Sequence, residues 1–265
     1  MMRSLLLAGL FLLSINLVYQ ESRRLLATEP AAMQSATLSS LRRDASESLR
    51  RGDRDAAIKA ADAMVADYGD NVQAMVEAGD VYLRSGKPDQ AVVQFDRFIE
   101  KVPTQMPYLW QRGIALYFVG KYQAAAEQFA KHRAVNPHDV ENAAWHFVCV
   151  AKADSPEKAR QMLLPAPGDG REPMNEVLEM LSSGNTKSVR DRINWVVKRA
   201  PESGAAEDAK FYGELYLGLY ADALGDRDEA IERMKAASAD APRHYMGDVG
   251  RVYADLLSER MKSAK

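Results

Sequence analysis

The 265-residue chain has one cysteine, Cys149, so it can form neither an intramolecular disulfide nor a multi-cysteine metal site. Within Phe147-Val148-Cys149-Val150 that residue reads as a small buried apolar side chain, not a reactive thiol. Histidine is almost as scarce. His132, His138, His146 and His244 include no i, i+4 pair with the adjacent glutamate that a helical metal site uses. There is no Gly-x-Ser-x-Gly nucleophile elbow. Gly168-Asp169-Gly170 lacks the Lys-Ser or Lys-Thr of a phosphate-binding loop, and Pro165, Pro167 and Pro173 flank it, so it reads as a loop between helices. The carboxylates Asp226, Asp228, Glu229 and Glu232 read as the solvated side of an amphipathic helix. A formal charge of −2, with 27% charged residues, carries no nucleic-acid footprint. No stretch alternates apolar and polar residues as a half-buried strand does. These absences predict an all-α protein without catalytic residues, metal ligands or cofactor.

Long apolar runs are missing except at the start, where Met1, Met2 and Arg3 precede the run Ser4 to Val18. The pattern predicts a signal peptide or signal anchor over residues 1–19 and hence export, with membrane contact only through residues 4–19 if they stay uncleaved. No cysteine follows the run, which excludes lipid attachment there. Residues 20–37, with Glu29, Pro30, Ala31 and Ala32, read as a linker.

What is present is a period. Gly52, Gly86 and Gly120 stand 34 residues apart, each followed five residues later by Ala57, Ala91 or Ala125. Seven residues before each glycine lies Ala45, Gly79 or Gly113, and nine after lies Ala61, Phe95 or Phe129. Pro103 and Pro137 follow Gly86 and Gly120 by 17 residues, with Gly69 in the equivalent place of the first unit. A fixed period of this length marks stacked helical hairpins. The 17-residue spacing recovers a late unit (Gly218, Gly225, Ala230, Met234, Pro242) and a weaker one (Val177, Gly184, Val189, Ile193, Pro201). Asp154 replaces the glycine of a degenerate unit that keeps Ala159 and Leu163. Three regular units are expected over 38–139, degenerate hairpins over 140–203, and a last unit with a capping helix over 204–265. Residues 245–262 form the amphipathic segment that would cover the last hairpin.

This pattern resembles the tetratricopeptide repeat family. The best match runs through Met75, Ala78, Gly79, Tyr82, Gly86, Ala91, Phe95 and Pro103. The resemblance implies a right-handed solenoid of about five to six hairpins. Its marks are Gly79, Gly86, Ala91, Phe95, Gly113, Gly120, Ala125, Phe129, Gly218, Gly225 and Ala230. Small residues permit close helix approach, and Asp53 and Asp226 are placed to cap the helices that follow them.

In such arrays the first helix of each hairpin lines the concave groove. The corresponding residues here are Val76, Asp80 and Leu83, then Trp110, Ile114 and Tyr117, then Leu215 and Leu219. Two explanations of this apolar stripe stay open. On the first, Trp110, Ile114 and Tyr117 contact a neighbouring helix, with residues 140–164 folding across the groove; on the second, the stripe is a site for a protein or peptide partner. On the second reading, replacing Trp110 and Tyr117 by Ala should abolish capture while leaving helicity and melting temperature nearly unchanged. Lys, Asn and Arg are missing from these positions, so a carboxylate clamp is not expected. Two rival readings use the same residues differently. One is a homo-oligomer, such as a homodimer, that buries the stripe between chains. The other is a cryptic hydrolase around Asp154, His146 and Cys149.

Arg112-Gly113-Ile114-Ala115-Leu116-Tyr117-Phe118, the stretch from Phe211 through Leu219 to Gly225, and Glu176 to Gly184-Asn185 look like the NlpI-type tetratricopeptide repeat proteins of bacterial envelopes. That resemblance implies a non-catalytic, dimeric adaptor of the periplasm or cell envelope that holds cell-wall hydrolases and a protease together. The lipidated cysteine of that family is absent here.

Overall fold

The structure, a computed structural model, describes residues 36–239 and 241–263. The expected signal segment (1–19) and nearly all of the linker (20–37) lie outside the described residues. Every regular element among the described residues is helical. Six hairpins follow one another. They are α1 (Leu38–Arg51) with α2 (Arg54–Tyr68), α3 (Val72–Arg84) with α4 (Pro88–Lys101), α5 (Trp110–Phe118) with α6 (Tyr122–His132), α7 (Val140–Ala153) with α8 (Pro156–Gln161), α9 (Met174–Ser183) with α10 (Thr186–Arg199), and α11 (Gly204–Ala223) with α12 (Arg227–Ala239). A thirteenth helix, α13 (Tyr245–Ser263), ends the chain, and a 3-10 turn, Pro103–Tyr108, links the second hairpin to the third.

The turns form for local reasons. Gly52, Gly86, Gly120, Gly184 and Gly225 all have φ between 76° and 83°, the left-handed conformation in which a Cβ is penalised. At Asp154, which lacks that freedom, φ is −134° instead, and the helix that follows is a six-residue stub. Asp53 caps α2 by accepting from the Ala56 N–H at 3.0 Å, and Asp226 accepts from the Glu229 N–H at 3.2 Å at the start of α12.

The periodic small residues are the contacts between the two helices of a hairpin. A Cβ built on Gly79 would lie 2.7 Å from the Phe95 ring, one on Gly113 2.6 Å from the Phe129 ring, and one on Gly218 2.9 Å from Met234 Cε. In these three hairpins, where the facing residue is large, the first helix carries glycine. The first hairpin has alanine at both positions, Ala45 and Ala61, and both are buried.

First helices of neighbouring hairpins touch (α1 with α3, α3 with α5, α5 with α7), and the second helices make no comparable contacts, so the first helices form the tighter inner row. α7 is apolar almost all round (Ala143, Ala144, Trp145, Phe147, Val148, Cys149, Val150) because α5, α6, α8, α9 and α11 all pack against it. It is the irregular centre of the array and its most enclosed helix.

Candidate functional site

The inner row is not open along its length. α13 packs on α12 as a cap would, but it also crosses the inner face to α3 and α5. Arg84 of α3 grips Asp248 with two nitrogens at 2.7 and 2.9 Å, and Arg54 at the start of α2 reaches Asp255 at 2.6 Å. Arg260 donates to the Phe118 carbonyl at 2.6 Å. In the middle, the Tyr253 and Tyr117 hydroxyls converge on one carboxylate oxygen of Asp222, at 2.6 and 2.9 Å, while Lys152 approaches the other oxygen at 3.1 Å. Burial, above all, pushes the two tyrosine hydroxyls well above their ordinary pKa, so both stay protonated as donors.

This arrangement places the stripe residues in two groups. Ile114, Tyr117, Leu215 and Leu219 are wholly buried, as is Leu83, and they form core, not surface. Tyr117 packs edge-on to Trp145 and tilted against Tyr253. The helix 140–153 therefore does press on Tyr117, and the C-terminal helix adds a second cover that the sequence pattern had assigned only to the last hairpin. With Tyr117 in this network, its replacement by Ala would cost about 3–5 kcal/mol, so a nearly unchanged melting temperature is not expected of a variant that includes it. Val76, Asp80 and Trp110 remain half-buried. Asp80 lies beside Arg84 (3.7 Å) and the Tyr245 hydroxyl, and burial raises its carboxyl pKa.

The inner face stays accessible where α13 begins. Trp110, Tyr212, His244 and Tyr245 are half-buried around a cavity of about 420 Å³, floored by Phe129 and Trp145. Trp110 meets Tyr245 edge to face at 4.9 Å, Phe129 stacks on Trp145 at 6.1 Å, and Tyr212 stacks on His244 at 6.0 Å. Asp139, the N-cap of α7, and Glu141 in its first turn also line the cavity. Arg171, from the loop after α8, bridges both carboxylates and Asp169 as well. Glu141 accepts from the Tyr216 hydroxyl at 2.7 Å, and burial raises its carboxyl pKa against the pull of Arg171. Only Trp110 of this cavity belonged to the stripe. The others arrive from the third, fourth and sixth hairpins and from α13, and no sequence motif joins them.

The residues of the cryptic-hydrolase reading do not assemble. Cys149 is fully buried with its thiol pKa pushed well up, His146 is buried with its imidazole pKa pushed down to about 4, and Asp154 is exposed at the end of α7. No hydrogen bond joins any two of them. Among the described residues no group of acidic, histidine or cysteine side chains could hold a metal, and no helix is long and apolar enough to cross a membrane.

The fold defines a class: an all-helical array of hairpins whose inner face offers a surface, of the kind used for protein binding. Residues 45–105 match the family model described as tetratricopeptide repeat, from the middle of α1 into the 3-10 turn. No curated protein matches the chain. Among solved structures it is similar to a tetratricopeptide repeat protein from Parabacteroides merdae ATCC 43184, at 13% identity, over 83% of this chain and 98% of that one, with a TM-score of 0.45.

Proposed function

We propose that this chain is an exported, non-catalytic scaffold of the periplasm or cell envelope that captures a protein or peptide partner on the inner face of its hairpin array. The observation that carries this is the aromatic opening at Trp110, Tyr212 and Tyr245. It is the stretch of the inner row where large side chains keep accessible surface beside a cavity, and tyrosine and tryptophan bind at small entropic cost. Val76 and Asp80 extend this surface towards the first hairpins, whereas Ile114, Tyr117, Leu215 and Leu219 support it from below. The resemblance to NlpI-type envelope adaptors favours a link to cell-wall enzymes, and the apolar run 4–18 favours export.

The test is capture from a native envelope extract by the chain from residue 28 onward, comparing wild type with Trp110→Ala. Trp110 is half-buried at the start of α5, so the variant is expected to keep its helicity and to melt within a few degrees of wild type. Capture should fall at least about tenfold, the scale of a truncated aromatic anchor. Unchanged capture would remove the opening as the binding site.

A further inference from the structure

The lining of this cavity has a charge and hydrogen-bond character that says more than that a partner binds. Among the described residues its charged side chains, Asp139 and Glu141, are both acidic, and none of the lysines or arginines lines it. Arg171 lies behind them, but one guanidinium serves three carboxyl groups, those of Asp139, Glu141 and Asp169, so acidic groups outnumber the cation. His132 donates through Nδ1 to the Pro107 carbonyl at 2.8 Å. Two polar groups are unpartnered although their residues are more than nine-tenths buried. They are Asn142 Oδ1 (4% exposed) and Trp145 Nε1 (2%). They stand at i and i+3 on α7, hence side by side on one face, and both residues line the cavity. A buried acceptor without a donor and a buried indole N–H without an acceptor each cost on the order of 1–3 kcal/mol, which a ligand can offset. The walls are indole and phenol rings, whose faces attract cations; Arg84 already lies 5.0 Å from the Tyr245 centroid and Arg171 5.9 Å from that of Tyr212, which leaves the Trp110 indole as the wall without an internal cation over it among the described residues.

We infer that the cavity receives a basic side chain, arginine or lysine, of a partner peptide, with the cation between the aromatic walls and the Asp139, Glu141 and Asn142 oxygens. The peptide's own carbonyl is the acceptor that the Trp145 N–H lacks. This inference rests on the scaffold reading above and adds the chemistry that selects the partner. It also separates this site from acid-selecting ones, because an acidic side chain would meet two carboxylates, with Arg171 already committed to them.

The test uses the full chain and two capped tripeptides, acetyl-Ala-Arg-Ala-amide and its citrulline counterpart, which keeps the shape and removes the charge. Binding is followed by the indole N–H resonances of Trp110 and Trp145. The arginine peptide is expected to shift the Trp145 resonance and to bind about tenfold more tightly than the citrulline peptide. Asn142→Leu should weaken the arginine peptide several-fold while the melting point stays equal or rises, since an unpartnered buried amide is removed. Equal affinity for the two peptides, an unmoved Trp145 resonance, or unchanged affinity in Asn142→Leu would each overturn the inference. Envelope capture that survives both Asn142→Leu and an excess of the arginine peptide would overturn it and leave the scaffold reading standing. Capture lost in Trp110→Ala together with equal peptide affinities would do the same.

Discussion

Gly113→Ala isolates the contact that sets the repeat. An alanine Cβ there would sit 2.6 and 2.7 Å from two carbons of the Phe129 ring and 3.1 Å from a third, against ordinary contacts of about 3.4–4 Å. The ring cannot retreat freely, because Phe129 is 1% exposed and stacks on Trp145. Overpacking of this kind costs about 1–3 kcal/mol. The alanine recovers up to about 1 kcal/mol of helix propensity in the interior of α5. Because two ring carbons lie under 3.0 Å from that Cβ, the cost falls in the upper half of its range and the net loss should be about 1–2 kcal/mol, or roughly 3–6 °C in melting temperature for a chain of this size. The paired variant is Gly218→Ala, whose Cβ would meet Met234 Cε at 2.9 Å. Cε is the far end of a flexible side chain that can swing aside, but Met234 Cγ at 3.1 Å and Arg233 Cβ at 3.2 Å must also give slightly, so the substitution should be the milder of the two, costing about 1 kcal/mol or less. Thermal and urea denaturation followed by circular dichroism would read both. Phe129→Leu in the Gly113→Ala background should show a favourable coupling of about 1 kcal/mol or more. A Gly113→Ala protein as stable as wild type, or a double-mutant cycle without coupling, would refute the claim that this pair fixes the hairpin spacing.

Two further outcomes follow from the buried polar groups. Asp222→Ala removes the acceptor shared by Tyr117 and Tyr253 and the partner of Lys152, and should cost about 3–5 kcal/mol, whereas Tyr253→Phe, which removes one donor, should cost about 1 kcal/mol; urea unfolding compares them. His146 is buried with an imidazole pKa of about 4, below the 6.5 of an exposed ring, so the unfolded chain binds its proton more tightly than the folded one. Its contribution is intact above pH 6.5 and is lost as pH falls towards 4. The loss is roughly 3 kcal/mol at most, and in His146→Phe the stability profile should flatten over that window.

The sequence carried the local architecture because a hairpin is a local object. The turn glycines share one backbone conformation, and the contact between residues 16 apart, Gly79 with Phe95 or Gly113 with Phe129, is written as a small residue facing a large one. The degenerate centre was legible for the same reason: Asp154 cannot supply the left-handed turn, and α8 is short. The site was legible only at Trp110. Ile114, Tyr117, Leu215 and Leu219 have the spacing of a groove, yet they are core, because periodicity marks an apolar face without naming the surface that covers it.

That assignment is made by contacts far apart in the chain. The amphipathic pattern of residues 245–262 is satisfied equally by the last hairpin alone or by the inner face. Arg84 on Asp248, Arg54 on Asp255 and the Tyr117–Asp222–Tyr253 cluster decide for both. Likewise Asp139, Glu141 and Asp169 have no motif spacing, and Arg171 draws them together only once the loop after α8 folds back on α7. The sequence by itself thus determined the helices, their turns and their pairing, which depend on neighbours within one hairpin. Only the tertiary structure decided which face stays accessible and what charge it shows, because burial and ion pairing depend on residues that the order of the chain does not bring together.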